Sequence, residues 1–347
     1  MSDTISIRKI PQEVLPDTNW RRITTLLGLI LAVLFFANIF AYLYLDSYSA
    51  NYGYWTIHQK WNLLGKLSKP VDWLILGDSS CSQGVMPEVF TTELNQTAIN
   101  LCTTGDMGTL DNLWLTEEYI QRFGPPKNIM VVHTFDIWHR QFNPVRLGQV
   151  PRPWRFWEAH TNGPELMEEA DIRNGIFIDH YLPLYSQNNS IGMIIRGILS
   201  GEHKPFVSKW AMDKDGFVPA YESKPGVVKA GEQQQIQFAT ENVFKVSYLN
   251  DESLRKMTRL AEENQINLYL ANAPAFEGLY SNPAYQAYFQ DLQTYLDGIA
   301  NESGNVYHIP AVMTFPVDQM QNPDHLIVSG AEEFTHWLIE EIQKISE

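Results

Sequence analysis

A chain of 347 residues is long enough for one large domain or two ordinary ones. With 44% hydrophobic residues against 19% charged, it holds ample material for a core and is excluded from the intrinsically disordered class. A formal net charge of -15 makes the surface repel phosphate backbones and argues against nucleic-acid binding, and two cysteines are too few for a disulfide framework or a zinc module.

The first element is an uncharged run at residues 23–45, ITTLLGLILAVLFFANIFAYLYL. Such a run matches the ~20 apolar residues that cross a ~30 Å hydrocarbon core. Arg21 and Arg22 bound it on one side and Asp46 on the other; Tyr42, Tyr44, Tyr48, Tyr52, Tyr54 and Trp55 crowd its exit, where amphipathic rings suit a membrane interface. Arg8 and Lys9 add basic charge before it, and the nearest basic residue after it is Lys60. The positive-inside rule therefore expects residues 1–22 in the cytoplasm, 23–45 across the membrane, 46–70 as a juxtamembrane linker and 71–347 as a domain outside. A cleaved signal peptide is the competing reading. It would have a shorter apolar region and a small-x-small site, for which Ser47-Tyr48-Ser49 is a weak match.

Beyond the linker, short apolar runs predict strands at residues 71–77, 98–102, 128–133, 266–271 and 306–309. Amphipathic patterns predict helices at 112–123, 251–264, 285–303 and 330–345. This alternation implies an α/β fold with a parallel sheet covered on both faces. Ligands of such sheets bind beyond the carboxyl ends of the strands, so the loops after Gly77, Cys102, His133, Ala271 and Ile309 should line one crevice. Residues 140–237 break the pattern and read as a large insertion, a cap facing the substrate.

The chemistry concentrates at two places. In LILGDSSCSQGVMPEVF, residues 74–90, a buried strand runs into Gly77-Asp78-Ser79. The glycine permits a tight turn, and Ser79 lands at a helix start, where free backbone N–H groups can stabilise an oxyanion. Ser80 is the rival nucleophile. Near the other end, Asn322-Pro323-Asp324-His325 precedes the last helix, and His325 is placed to serve Ser79 as a base. His133, His139, His160, His180, His203, His308 and His336 read as surface or core residues. No metal-ligating cluster and no phosphate-cradling glycine loop is evident, so no cofactor or metal is expected.

Together these segments resemble the SGNH, or GDSL-type, hydrolase superfamily, in its membrane-anchored extracytoplasmic branch, which serves polysaccharide O-acetylation and teichoic-acid D-alanylation. The resemblance rests on Gly77-Asp78-Ser79, on Asn100 through Gly105, and on Asp324-His325-Leu326 with Gly330-Ala331 and Phe334-Thr335. It implies a flavodoxin-like three-layer sandwich. It also implies acyl transfer with Ser79 as nucleophile, His325 as base, Asp324 behind it, and the N–H groups of Ser79 and Gly105 as the oxyanion hole. Asp78, Asn322 and Asp136 are possible supporting residues. Two positions depart from the family pattern. Phe135 stands where a donor asparagine is expected, and Asn322 stands where the triad carboxylate should be. Cys81 and Cys102 sit in loops expected to be neighbours and read equally as a disulfide or as two buried thiols.

The expectation is a membrane-anchored serine acyltransferase of the periplasmic side of the inner membrane, O-acetylating an exported polysaccharide. A multi-pass membrane acyltransferase would supply its acyl groups. An esterase or deacetylase, or a degenerate glycan-binding or scaffold protein, is the alternative. Trp154, Phe156, Trp157, Trp210 and Phe217 give the insertion rings that could stack on sugars.

Overall fold

A computed structural model describes residues 20–48, 52–202 and 211–346. Arg8, Lys9, Ser49, His203 and Trp210, as well as the side chains of Asp46, Ser47, Tyr48, Tyr52 and Tyr54, lie outside what is described.

The strands are β1 (Trp73–Gly77), β2 (Ala98–Asn100), β3 (Asn128–His133), β4 (Asn267–Asn272), β5 (Ala275–Phe276), β6 (Val306–Ile309), β7 (Thr314–Phe315), β8 (Met320–Asn322) and β9 (His325–Leu326). The helices are α1 (Trp20–Tyr48), α2 (Tyr52–Lys66), α3 (Ser79–Gly84), α4 (Pro87–Leu94), α5 (Gly108–Phe123), α6 (Gly163–Leu166) and α7 (Ala170–Tyr181). They continue with α8 (Pro183–Ser186), α9 (Asn188–Ser200), α10 (Pro225–Glu241), α11 (Tyr248–Glu263), α12 (Glu277–Tyr280), α13 (Pro283–Ala300) and α14 (Val328–Ser346).

Five strands form one parallel sheet in the order β2-β1-β3-β4-β6. The α/β reading of the sequence therefore holds, with β3 and β6 at the expected bounds. Buried on both faces, β1 and β3 consist almost wholly of apolar residues, as a covered parallel sheet requires. On one face α5 packs against β1 and α11, and α13 joins them through Tyr295, whose hydroxyl donates to Asp251 at 2.8 Å. The other face is covered by α14, which touches α3, α4 and β6. Local chemistry fixes the helix starts. Before α13, Asn282 accepts from the N–H groups of Ala284 and Tyr285, and Pro283 occupies the first turn.

The stretch expected as a linker contains α2, whose Ile57, Trp61 and Leu64 are buried in the main core. Lys60 is also buried. Its Nζ donates to the Asn100 carbonyl at 2.9 Å, to Asn100 Oδ1 at 2.7 Å and to the Gly216 carbonyl at 2.5 Å. Burial drives its pKa well below the usual lysine value. The insertion is helical, and Leu147, Val150, Trp157, Ile176, Phe217 and Val228 share the sheet's core. Its last helix, α10, packs on β8 and α13, over the carboxyl end of the sheet.

The apolar N-terminal helix, Trp20–Leu45, is almost entirely exposed along its length. At ~1.5 Å per residue it reaches ~39 Å, enough to cross a bilayer. An exposed helix of this composition is an anchor or a signal segment rather than a core element.

Candidate active site

The order of the sheet reverses beside β1, and the loops after β1 and β3 meet there. Gly77 ends β1 with φ 150°, and any side chain on it would overlap the Val132 carbonyl of β3. The next residue, Asp78, caps α3. Its Oδ1 accepts from Ser80 N at 2.8 Å and Ser80 Oγ at 2.5 Å. Its Oδ2 accepts from Thr134 N at 2.7 Å and Thr134 Oγ1 at 3.0 Å, so one carboxylate ties the two loops together. Burial alone would raise the Asp78 pKa, but the His133 ring 3.5 Å away and the Ser80 and Thr134 donors hold it far below the usual carboxylate range. Asp78 is thus a fixed anion that shapes the turn.

This arrangement separates the two serines. Ser80 is fully buried with its hydroxyl held by Asp78. Ser79 lines a cavity of about 520 Å³, together with Gly105, Asp136, Arg140, Asn322, Asp324 and His325. The N–H groups of Ser79 and Gly105 donate to no protein group among the described residues.

His325 enters the cavity from β9, which packs against α3. Its Nδ1 lies 2.8 Å from Asn322 Oδ1 and 2.6 Å from Asp324 Oδ1. Both are acceptors, so Nδ1 carries the proton and Nε2 is left as the acceptor nitrogen. The Asn322 amide is oriented by the backbone: its Oδ1 also accepts from Asp324 N at 3.0 Å. Burial works against charging of His325, yet the Asp324 carboxylate, with a smaller contribution from Asp78, raises its pKa above the ordinary histidine value.

Phe135 turns into an aromatic cluster, with ring centroids 4.6 Å from Tyr285 and 5.6 Å from Tyr288. It offers no donor. Arg140, which the sequence reading passed over as the edge of the insertion, comes to the same region. Its Nε (2.9 Å) and Nη2 (2.5 Å) donate to Asp136, which also accepts from Thr134 Oγ1 at 3.0 Å. Its Nη1 faces Gly105 so closely that a methyl group there would come within 2.8 Å of it. The spacing of Asp136 and Arg140 announces the ion pair, but nothing in the sequence places Nη1 beside Gly105. Gln235 of α10 was also missed. Its Nε2 donates to Asp324 at 3.2 Å, and its Oε1 is buried at the cavity wall with no protein partner.

Cys81 of α3 and Cys102, just after β2, form a disulfide with their Cα atoms 5.8 Å apart. It links the helix that starts at Ser79 to the segment that leads to Gly105. Asn100 braces the same junction, its Nδ2 donating to the carbonyls of Cys81 (3.0 Å) and Val85 (2.8 Å). Among the described residues no group of three or more His, Cys, Asp or Glu side chains is placed to hold a metal ion. No protein-family model matches the chain, and comparison with curated proteins finds no related sequence.

Proposed function

We propose that this protein is a membrane-anchored, extracytoplasmic serine acyltransferase of the SGNH type that O-acetylates an exported polysaccharide. The observation that carries the reading is the convergence of Ser79, a His325 with Nδ1 protonated, and two open N–H donors on one cavity at the carboxyl end of the sheet.

Ser79 Oγ attacks the carbonyl carbon of an acetyl ester while its proton passes to His325 Nε2. The N–H groups of Ser79 and Gly105, with the Arg140 guanidinium beside them, face the oxyanion. Collapse breaks the ester bond, and the leaving alkoxide takes the proton from His325. The neutral imidazole then accepts the proton of a sugar hydroxyl as that oxygen attacks the acetyl-Ser79 ester. The acetyl group moves to the sugar and the proton returns to Ser79. Nδ1 stays protonated throughout, held by Asn322 and Asp324.

The buried Gln235 Oε1 is an acceptor suited to a sugar hydroxyl. A multi-pass membrane acyltransferase fits as the source of acyl groups, because a catalytic domain tethered to the outer face meets donors that cross the bilayer.

The test uses the full chain in detergent with an acetyl ester and an oligosaccharide acceptor. The expected result is an acetyl adduct on Ser79 by intact mass and acetyl transfer to the sugar, both abolished in Ser79→Ala and His325→Ala. Release to water alone would make the protein an esterase. Undiminished turnover in both variants would remove this site from the chemistry.

A further inference from the structure

A second feature of the molecule lies where the insertion meets the N-terminal helix. The segment from Tyr181 to Ile195 contains no Asp, Glu, Lys or Arg, and it folds into the end of α7, α8 and most of α9. Several of its apolar side chains, and that of Leu199 further along α9, are exposed. Leu199 is 82% exposed, Tyr185 69%, Ile195 52% and Met193 51%. Exposure of this kind, on a helix whose other face carries the buried Ile194, marks a surface made for an apolar surrounding.

The position of the segment identifies the surrounding. Asn38 lies inside the uncharged run of α1. Its Nδ2 donates to the Tyr181 carbonyl at 2.7 Å, and its Oδ1 accepts from Leu184 N at 3.1 Å. Further along α1, Leu45 is buried against Ile194, with Tyr44 and Ile191 packed on the pair. If the hydrocarbon begins at Ile23, ~20 residues at ~1.5 Å each place its outer boundary near Leu43. Asn38 is then below that boundary, at a depth where an amide must find protein partners. The partners it finds belong to α7 and α8, which therefore reach the same depth.

We propose that α8 and α9 form a second membrane element, an in-plane amphipathic helix seated in the outer leaflet beside α1, with the lipid bilayer as its occupant. This rests on reading α1 as a retained membrane anchor. With 13 residues, α9 is too short to span, and its helical backbone satisfies its own polar groups at the interface. Arg196 is the one charged residue on α9, and its stem is long enough to carry the guanidinium up to anionic headgroups. The consequence is a domain held at two points, so that the catalytic cavity keeps one orientation to the membrane.

Depth-resolved quenching tests this on the full chain, whose native cysteines are already paired. Single cysteines are introduced as Ile195→Cys and Leu199→Cys, with Phe36→Cys on α1 as a positive control. Val243→Cys, at a position 83% exposed after α10, is the aqueous control. Each carries an environment-sensitive fluorophore and is reconstituted in phosphatidylcholine–phosphatidylglycerol vesicles containing doxyl-labelled lipids. The expected result is blue-shifted emission and severalfold stronger quenching at positions 195 and 199 than at 243, greatest with a shallow doxyl group, while position 36 responds to a deep one. If position 36 is quenched and positions 195 and 199 behave like 243, α9 stands in water and is left for a protein partner, and the proposal fails with the anchor intact. An unquenched position 36 would overturn the anchor and the proposal together.

Discussion

At the scale of single residues, the proposed chemistry turns on the protonation of His325. To accept a proton from Ser79 it must be neutral, and Asp324 raises the pKa at which it becomes so. The acidic limb of kcat/KM is therefore expected above the ordinary histidine value of about 6.5, with activity falling as pH drops through it. Asp324→Asn removes the negative charge, and the limb should move to lower pH; a pH–rate profile of the two proteins checks this. Arg140 carries a second expectation. In the proposed mechanism its guanidinium, beside Gly105 at the cavity, stands in for the donor that Phe135 does not supply. Arg140→Gln should lower kcat by about 10²-fold or more, the usual cost of a lost oxyanion donor, with little change in KM. A loss confined to KM would make Arg140 a substrate-binding residue instead. The Ser79 and His325 positions were legible in the sequence because each sits at the end of a predictable element. Arg140 was not, because its place at the cavity depends on a side-chain direction that spacing does not encode. The backing of His325 was half legible. Asn322 looked like a defect, yet the Asp324 N–H holds its amide oxygen toward the ring, preserving the tautomer that a freely oriented asparagine would not guarantee.

Among the elements, α2 and α5 meet through Asp111, a fully buried carboxyl that accepts from Trp61 Nε1 at 2.9 Å and Thr103 Oγ1 at 2.5 Å. Burial raises its pKa to about 6, against which its two donors act only partly. A raised pKa means the folded state holds this proton more tightly than the unfolded chain. The associated stability is complete below the unfolded value of about 3.9 and disappears as pH rises through about 6. In Asp111→Asn that pH dependence should vanish, so thermal unfolding at pH 5 and pH 8 should differ less than in the parent protein. The disulfide belongs to the same scale. Closing a loop with a sequence separation of 21 is worth about 3 kcal/mol in the chain-entropy account, so reduced protein should unfold in urea that much more readily. The sheet strands were readable from their apolar runs. By contrast α2 was hidden, because its Tyr, Trp, Gln and Lys residues alternate without a clean stripe. Lys60 is charged in the sequence and buried in the fold, and only its three carbonyl and amide acceptors explain how.

For the whole molecule, Arg8, Lys9, Arg21 and Arg22 ahead of the uncharged run carry the expectation of a cytoplasmic N-terminus. An alkaline phosphatase reporter fused after Glu347 should be active in cells and one fused before Met1 inactive; the reverse would invert the topology. The insertion is the part of the fold the sequence described least. Residues 140–237 gave no strand or linker signal, because they hold no strand of the sheet and their short helices, such as α8 against α1 and α7, are placed by contact with neighbouring elements. They nevertheless join both ends of the molecule: Asn38 is bonded to Tyr181 and Leu184, and Gln235 to Asp324. The disulfide adds a constraint in time. Thiols stay reduced in the cytoplasm and pair after export. Until Cys81 and Cys102 are joined, the turn bearing Ser79 and the segment leading to Gly105 lack their covalent brace. On the proposed function, the newly made chain would reach full competence only once translocated, and acyl esters inside the cell would be spared.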